Sequence, residues 1–279
     1  MEASYYIAFV CYLVALVGIG LASYYWKGQS TVEDYVLGGR KLGWVTSGLS
    51  AMASQSSGFM FIGLLGVGYS LGVFAFWYVI SDILNVVFAW VALAGRLKVY
   101  ADKTRSIDLP DMLSDRYRDA THLIRVLGAV IVCFFMVGYF AAQATAGGKA
   151  FESATDIPYA WGVFISVALV LFYTLVGGYW GVCWTDVFQG IMMAFGIVVV
   201  PIVAILHIGG FGAMFTKLAS IDPLLITVGG AMTTAVALGT VVGWMSISLC
   251  VFGQPHVVTR MMAIKTPEEV KKAALLAVI

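Results

Sequence analysis

The chain alternates long apolar runs with short polar segments. Seven of the runs reach or approach the about 20 residues that a helix needs to cross a bilayer. They cover residues 5–25, 45–69, 73–97, 123–145, 159–176, 187–208 and 226–252. An eighth run begins near residue 273 and reaches only residue 279, so we expect the chain to be the N-terminal part of a longer protein. The pattern predicts an all-α integral membrane protein with seven complete spans.

Positive charge alternates from one loop to the next. Most lysines and arginines follow spans one, three and seven, whereas only Lys149 and Lys217 lie in the other loops. Because cytoplasmic loops are enriched in Lys and Arg, this bias predicts an outside N-terminus and a cytoplasmic 98–122 loop. In that loop, Asp108 as a cap and Pro110 in the first turn predict a short surface helix, with a regulatory site as the alternative reading.

Composition supports a membrane protein and argues against an enzyme. Hydrophobic residues make up 61% of the chain and charged residues 11%, whereas soluble domains carry about 25% charge. The net charge of +1 gives no sign of a nucleic-acid partner. The four cysteines and three histidines show no metal-ligand spacing, and no catalytic triad, phosphate loop or nucleotide fingerprint is present. We therefore expect neither catalysis nor a cofactor.

Polar side chains crowd the middle of the second span, where residues 50–58 read Ser-Ala-Met-Ala-Ser-Gln-Ser-Ser-Gly. Hydrocarbon penalises unpaired polar groups, so this stretch must face protein or water. Close packing of small residues against another helix is one reading. Gln55 and the serines around it favour another, in which the helix is broken at mid-membrane and its freed backbone groups bind a cation and a substrate.

Two carboxylates lie in or beside predicted spans. Asp82 is inside span three, and Asp186 lies at the start of span six. A carboxylate in a membrane is costly and is a functional-site hypothesis by default. Asp82 could instead be satisfied by Ser81 and Asn85, and Asp186 could simply cap its helix near the cytoplasmic interface. The residues alone leave both readings open.

Glycines and a proline predict where spans turn. Gly177 and Gly178 indicate a tight cytoplasmic turn between spans five and six, and Gly209 with Gly210 indicates one outside after span six. Pro255 is expected to end or kink the helix of span seven.

Several motifs are distributed along almost the whole chain. They are Asp34-Tyr-Val-Leu-Gly-Gly-Arg40-Lys-Leu-Gly43, Ser50-Ala-Met-Ala-Ser-Gln-Ser-Ser-Gly58, Gly63-Leu-Leu-Gly66, Tyr173-Thr-Leu-Val-Gly-Gly178, Trp184-Thr-Asp186 and Phe252-Gly-Gln-Pro-His256. In content and order they resemble the sodium/solute symporter family, and most closely the sodium/proline symporters. The resemblance implies a LeuT-type fold, in which two inverted five-helix repeats surround a site at mid-membrane. It divides a single membrane domain, 1–279, into an extra first helix (5–25), a first repeat (45–208) and an incomplete second repeat (226–279).

The resemblance also implies roles for single residues. The expected sodium residues are the backbone carbonyls of Ala53 and Ser56, the position of Gln55, and Asp186. The expected substrate residues are Ser57, Gly58, Phe59, Tyr139 and Trp244. Arg40 matches a functionally important cytoplasmic arginine. The chain departs from proline carriers at Gln55, where they have an aspartate, at Phe59, where they have a tryptophan, and at Val251, where they have an aromatic residue.

These expectations combine into a sodium-coupled symporter that imports a small organic solute, proline or a related amino acid, by alternating access. Its expected partners are the sodium ion, the solute and the lipid bilayer of the cell membrane. Two alternatives are a symporter-like sensory input domain of a membrane histidine kinase and a structural membrane subunit that binds no solute.

Overall fold

The computed structural model describes residues 3–27, 31–230 and 232–278, and that part of the chain is almost entirely helical. Its α-helices are α1 (Ala3–Lys27), α2 (Val32–Leu37), α3 (Trp44–Gln55), α4 (Leu64–Leu71), α5 (Phe76–Phe88), α6 (Gly95–Thr104), α7 (Leu109–Tyr117), α8 (Leu123–Ala154), α9 (Tyr159–Ile208), α10 (Gly210–Ile221), α11 (Thr234–Ser248), α12 (Pro255–Ala263) and α13 (Pro267–Val278). Two π-helical segments, Phe59–Gly63 and Ala89–Ala94, and four 3₁₀ segments, Gly38–Arg40, Gly72–Ala75, Pro223–Ile226 and Leu249–Gly253, lie between them. The all-α class predicted from the sequence is confirmed.

Five helical segments within the described residues are long and apolar enough to cross a membrane. They are Tyr6–Trp26, Phe59–Thr104, Leu123–Ala154, Tyr159–Ile208 and Thr234–Gly253. The segment Phe59–Thr104 holds the second half of predicted span two together with span three, and Tyr159–Ile208 holds spans five and six. Spans three to six lie inside these segments, whereas the first half of span two lies in α3 and the last segment starts at Thr234 rather than at residue 226. The counts differ because two junctions interrupt helical geometry only briefly.

Local signals for helix ends are correct at some positions and wrong at others. Asp108 caps α7 as predicted, and its Oδ1 accepts a hydrogen bond of 2.7 Å from the Asp111 amide. Span seven is helical only from Thr234, not from residue 226, because the 3₁₀ turn at Pro223–Ile226 and the left-handed Gly230 (φ +66°) precede it. The amphipathic helix α10 was not predicted. Ile279, the end of the predicted eighth run, lies outside the described residues.

Much of the surface of the described residues is apolar, and several polar side chains are buried. Large side chains such as Phe134 (74% exposed) and Phe195 (69% exposed) project from α8 and α9. Charged and hydroxyl side chains such as Lys98, Arg260 and Ser47 are buried instead. A soluble protein could not present so large an apolar surface to water, whereas a bilayer accepts it.

Candidate functional site

Helix α3 stops in the middle of the second predicted span. Its last residue is Gln55, and the chain resumes helical geometry only at the π-helical turn that begins with Phe59. Between them the backbone amides turn away from their helical acceptors. The Ser57 amide donates to Gln55 O at 2.8 Å and the Met60 amide to Ser57 O at 2.9 Å. The mid-membrane break that the sequence favoured is present.

The break frees two backbone carbonyls. In a continuous helix, Ala53 O would accept from the Ser57 amide and Ser56 O from the Met60 amide, four residues on. Both amides donate elsewhere, so neither carbonyl keeps its helical donor. These are the two carbonyls that the family resemblance assigns to sodium. Carbonyl oxygens of unwound membrane helices are suited to a hard cation.

Helix α8 forms one wall against the break. The Gly58 amide donates to Gln143 Oε1 at 3.0 Å, and a Cβ atom at Gly58 would lie only 2.7 Å from the Ala146 Cβ. Ser57 Oγ accepts from the Phe59 amide at 3.2 Å and shapes the turn itself. Tyr139 lies one helical turn before Gln143. The structure therefore places Gly58 against α8, which also carries Tyr139, whereas the hydrogen bond of the Ser57 side chain stays within the break.

A cluster of aromatic rings begins at Phe59, directly after the break. Phe59 contacts Tyr78 with ring centroids 5.5 Å apart, and Tyr78 meets Trp244 edge to face at 5.9 Å. Trp244 also contacts Phe74 at 5.4 Å. Phe59 and Trp244, both predicted from the resemblance, thus belong to one aromatic cluster although almost 200 residues separate them. Tyr78, which joins them, was not predicted.

Asp186 is the centre of a buried polar cluster. Its Oδ2 accepts from Ser50 Oγ at 2.6 Å, from Ser54 Oγ at 3.3 Å and from Arg260 Nη2 at 2.5 Å. Arg260 Nε donates in turn to Ser50 O at 3.1 Å and to Ser50 Oγ at 2.8 Å. The remaining nitrogen, Nη1, donates to His256 O. The cluster joins α3, α9 and α12 through four side chains.

This geometry corrects the alternative reading of Asp186 and adds a residue. Asp186 is not a helix cap, because helical geometry restarts directly after Gly178 and Asp186 lies two turns further along. Arg260 was counted only as a loop cation, yet it is 5% exposed. Nothing in the sequence around Arg260 indicated a buried role. His256, from the same helix, stacks on Tyr139 at 5.2 Å and links the cluster to α8.

A cavity of about 480 Å³ lies beside the break. Its polar lining comes from Gln55, Ser56, Tyr78 and Asp82, and apolar side chains of α3, α5, α9 and α13 complete its walls. The structural explanation offered for Asp82 is wrong, because its two neighbours bond elsewhere. Ser81 Oγ donates to Trp77 O at 2.7 Å, and Asn85 Nδ2 donates to Ser81 O at 2.7 Å and to Met245 O at 3.4 Å.

Arg40 lies away from the break, in a second charged network. It adopts a left-handed conformation (φ +55°) and is 7% exposed. Its guanidinium donates to Glu33 Oε1 at 2.5 Å, to Asp102 Oδ1 at 3.3 Å and to Ser106 O at 2.7 Å. Lys98 Nζ shares Asp102 at 2.7 Å. Arg40 therefore holds together the segments before α3, in α6 and before α7.

Comparisons with known proteins agree with this architecture. Residues 35–279 match the sodium:solute symporter family. The chain is 36% identical over 256 residues to the high-affinity proline transporter PutP of Bacillus subtilis. This match covers 91% of this chain and 53% of that protein. It is 34% identical over 274 residues to a sodium/proline symporter of Staphylococcus aureus, with coverage of 98% and 52%. The chain thus spans about half the length of the curated relatives it matches.

A solved structure gives the fold. The chain superposes on the structure of a Na⁺-coupled sialic acid symporter in a substrate-bound outward-open state, with a TM-score of 0.79 and 21% sequence identity. The superposition covers 98% of this chain and 56% of that one. The LeuT-type fold predicted from the motifs is confirmed.

Proposed function

Because the chain belongs to the sodium:solute symporter family, we propose that it forms part of a sodium-coupled secondary symporter that imports a small organic solute by alternating access. Relatives described as proline transporters support proline or a related amino acid as the solute. Sodium is the co-transported ion in this proposal. The broken helix α3 is the observation that carries the proposal. A membrane helix with a purely structural role does not need an interruption in the middle of its span.

The sodium site of this proposal is built on the freed carbonyls of Ala53 and Ser56. Gln55 lies between them and contributes a neutral amide where proline carriers have a carboxylate. The remaining oxygens must come from other helices, because two carbonyls do not surround a dehydrated cation.

Asp186 supports sodium coupling through its contacts in this proposal. Ser54, adjacent to Ala53, and Ser50, one turn earlier, both donate to the Asp186 carboxylate. An ion bound at the end of α3 therefore contacts the same helical turn that Asp186 and Arg260 attach to α9 and α12. Binding of the ion and closure of these three helices are linked in this way.

The solute pocket of this proposal lies between the α8 wall and the aromatic cluster. Ser57, Gly58 and Tyr139 contribute from one side, and Phe59 and Trp244 from the other. Sodium at the break and solute in the pocket both favour one conformation, and this shared preference is what couples their movements.

The division into repeats also remains a proposal. An extra first helix covers 5–25, a first repeat covers 45–208, and a second repeat begins at 226. Two interrupted helices support it, because α3 breaks near the start of the first repeat and α11 gives way to α12 through Leu249–Gly253 near the start of the second. Discontinuous helices at corresponding positions are characteristic of inverted-repeat transporters.

The protein is a multi-pass membrane protein, and we place it in the cell membrane with its N-terminus outside. Arg40, at the cytoplasmic end in that orientation, holds the intracellular loops together. The alternative of a kinase input domain gains no support, because the relatives and the solved structure named above are transporters.

Transport in proteoliposomes tests the proposal. The full product of the gene, reconstituted and given an inward sodium gradient, is expected to accumulate labelled L-proline or another member of an amino-acid panel above its equilibrium level. Replacing external sodium with N-methylglucamine, or collapsing the gradient with an ionophore, should abolish accumulation. Failure to accumulate any member of the panel in a sodium-dependent way would reject the proposed function.

A further inference from the structure

A groove of about 570 Å³ runs along α6, at the end of predicted span three. Val91 and Ala92 line one end of it, and Arg96 and Lys103 line the other. Val91 is 77% exposed, as a side chain that faces lipid would be. The two cations lie seven residues apart, which is about two helical turns on one face. The groove therefore joins an apolar surface to positive charge where the chain leaves the span.

The groove lies on the face of α6 that points away from the core. Ala94, Leu97 and Ala101 are buried in one cluster with Met262 of α12 and Ala273 of α13. In a helix of 3.6 residues per turn, these positions lie opposite the groove residues. The segments that follow predicted span seven therefore pack on the other side of α6.

The carboxylate beside the groove is engaged by other cations. Asp102 precedes Lys103, but its Oδ1 accepts from Lys98 Nζ at 2.7 Å and from Arg40 Nη1 at 3.3 Å. Asp102 thus compensates charge in the interior and not in the groove. The groove keeps a net positive charge.

Helix α7 brings a third cation next to the groove. The Arg116 guanidinium carbon lies 6.0 Å from the centroid of the Tyr100 ring, and Tyr100 lines the groove between Arg96 and Lys103. Contact with a ring face holds a guanidinium in place without neutralising it. Asp115, next to Arg116, accepts from a serine hydroxyl at 2.9 Å. Three positive side chains from two helices therefore surround one aromatic ring at this end of the span.

We propose that this groove binds one anionic phospholipid, with its phosphate between Arg96 and Lys103 and an acyl chain along Val91 and Ala92. Basic pockets beside membrane helices bind anionic headgroups in this way. The bilayer is the source of the phosphate, because the apolar end of the groove adds nothing to the binding of a free phosphate ion. The charge bias assigns this end of the span to the cytoplasmic leaflet. The inference is independent of the transported solute and of sodium.

Gly95 keeps the groove open. It lines the groove, and a Cβ atom added to it would meet no atom within 4 Å. A larger side chain at this position would therefore enter the groove and not the core. Gly95→Leu fills the groove while every charge remains, and leucine favours a helix more than glycine does.

Native mass spectrometry of the full product of the gene, in detergent with added phosphatidylglycerol or phosphatidylcholine, tests the inference. Wild-type protein is expected to retain phosphatidylglycerol in preference to phosphatidylcholine. Arg96→Gln with Lys103→Gln should weaken phosphatidylglycerol binding about fivefold or more, and Gly95→Leu should weaken it by a similar factor. Lys271→Gln with Lys272→Gln removes the same charge from exposed positions of α13 and is the matched control, with binding changed less than about twofold.

Arg116→Gln keeps the inference testable if the double variant of α6 fails to fold. It lies outside the span and should weaken phosphatidylglycerol binding about fivefold. Thermal unfolding of each variant in detergent without added lipid checks that the fold is kept.

Each remaining outcome overturns the inference. Unchanged phosphatidylglycerol binding in the folded α6 variants shows that another part of the full protein occupies the groove or that the groove stays empty. An equal loss in the Lys271 and Lys272 control shows a diffuse attraction and not a site. Displacement of the lipid by inorganic phosphate, or unchanged binding in Gly95→Leu, shows that the apolar groove does not hold an acyl chain.

Discussion

At the scale of single residues, the Asp186–Arg260 pair is the most consequential contact in the described chain. The side chains are 13% and 6% exposed, and Ser50 bonds to both of them. Charges this deep are costly to desolvate, and a buried pair is strongly destabilised when only one partner is removed, because the other charge stays uncompensated. The pair therefore couples three helices and makes each partner depend on the other.

This dependence gives a double-mutant prediction. Asp186→Asn and Arg260→Gln should each lower the free energy of unfolding by about 3–5 kcal/mol, whereas the double variant should lose clearly less than the sum. Denaturation in detergent measures all three, with sodium-dependent uptake of Asp186→Asn as a second readout that should weaken.

The pair of Arg125 and Asp111, in which the arginine is exposed, offers the control. Its nitrogen and oxygen lie 3.2 Å apart and Arg125 is 49% exposed, so Arg125→Gln should cost less than about 1 kcal/mol. Additive losses at Asp186 and Arg260 would contradict the pairing.

The residue scale also shows what the sequence could not supply. Gln55 and the neighbouring serines indicated a break, because unpaired polar groups in hydrocarbon are costly and must be satisfied by protein, water or a ligand. Arg260 gave no such signal, since an arginine after a predicted span reads as a loop cation. Its burial depends on Pro255 redirecting the chain and on a carboxylate 74 residues earlier, and neither contact is encoded locally.

At the scale of elements, α9 depends on one glycine. Gly178 has φ +54° and ψ −152°, a conformation that is essentially restricted to glycine, and it separates the segments that correspond to predicted spans five and six. The paired glycines indicated this junction from sequence alone. What they did not indicate is how short it is, and this error placed Asp186 at a helix start instead of inside a helix.

Gly178→Ala should therefore lower stability by about 1–3 kcal/mol, because an L-residue is strained at this backbone position. Gly196, in the second half of the same helix, has ordinary helical geometry and open space around its Cα, so Gly196→Ala should be neutral or stabilising by up to about 1 kcal/mol. Thermal unfolding in detergent compares the two. Equal effects would show that backbone strain at Gly178 is not what shapes the junction.

At the scale of the whole molecule, contacts between distant loops sort into two groups. Lys98 Nζ donates to Met262 O at 3.2 Å, and the Lys265 amide donates to Leu42 O at 2.8 Å, so three basic segments meet. Elsewhere, Tyr6 donates to Asp156 at 2.9 Å. Gly72, next to predicted span three, approaches Leu225, next to predicted span seven, so closely that a Cβ atom would lie 2.1 Å from its carbonyl oxygen.

These two groups match the two sides that the charge bias predicts. Every segment in the first group was expected in the cytoplasm, and every segment in the second was expected outside. Lys and Arg counts alone could not show that loops of one predicted side touch one another, so the contacts support the grouping of the loops, while the charge bias assigns one group to the cytoplasm.

The orientation leads to a labelling prediction. In a variant with its four cysteines replaced by serine, Ser220→Cys at the end of α10 should react with a membrane-impermeant maleimide on intact cells. Thr121→Cys, in the basic 98–122 loop, should react only after the membrane is permeabilised, because positively charged loops are retained in the cytoplasm during insertion. Comparable expression of both variants, measured with a terminal tag, makes the reactivities comparable. The reverse pattern would place the N-terminus inside and contradict the orientation that the charge bias predicts.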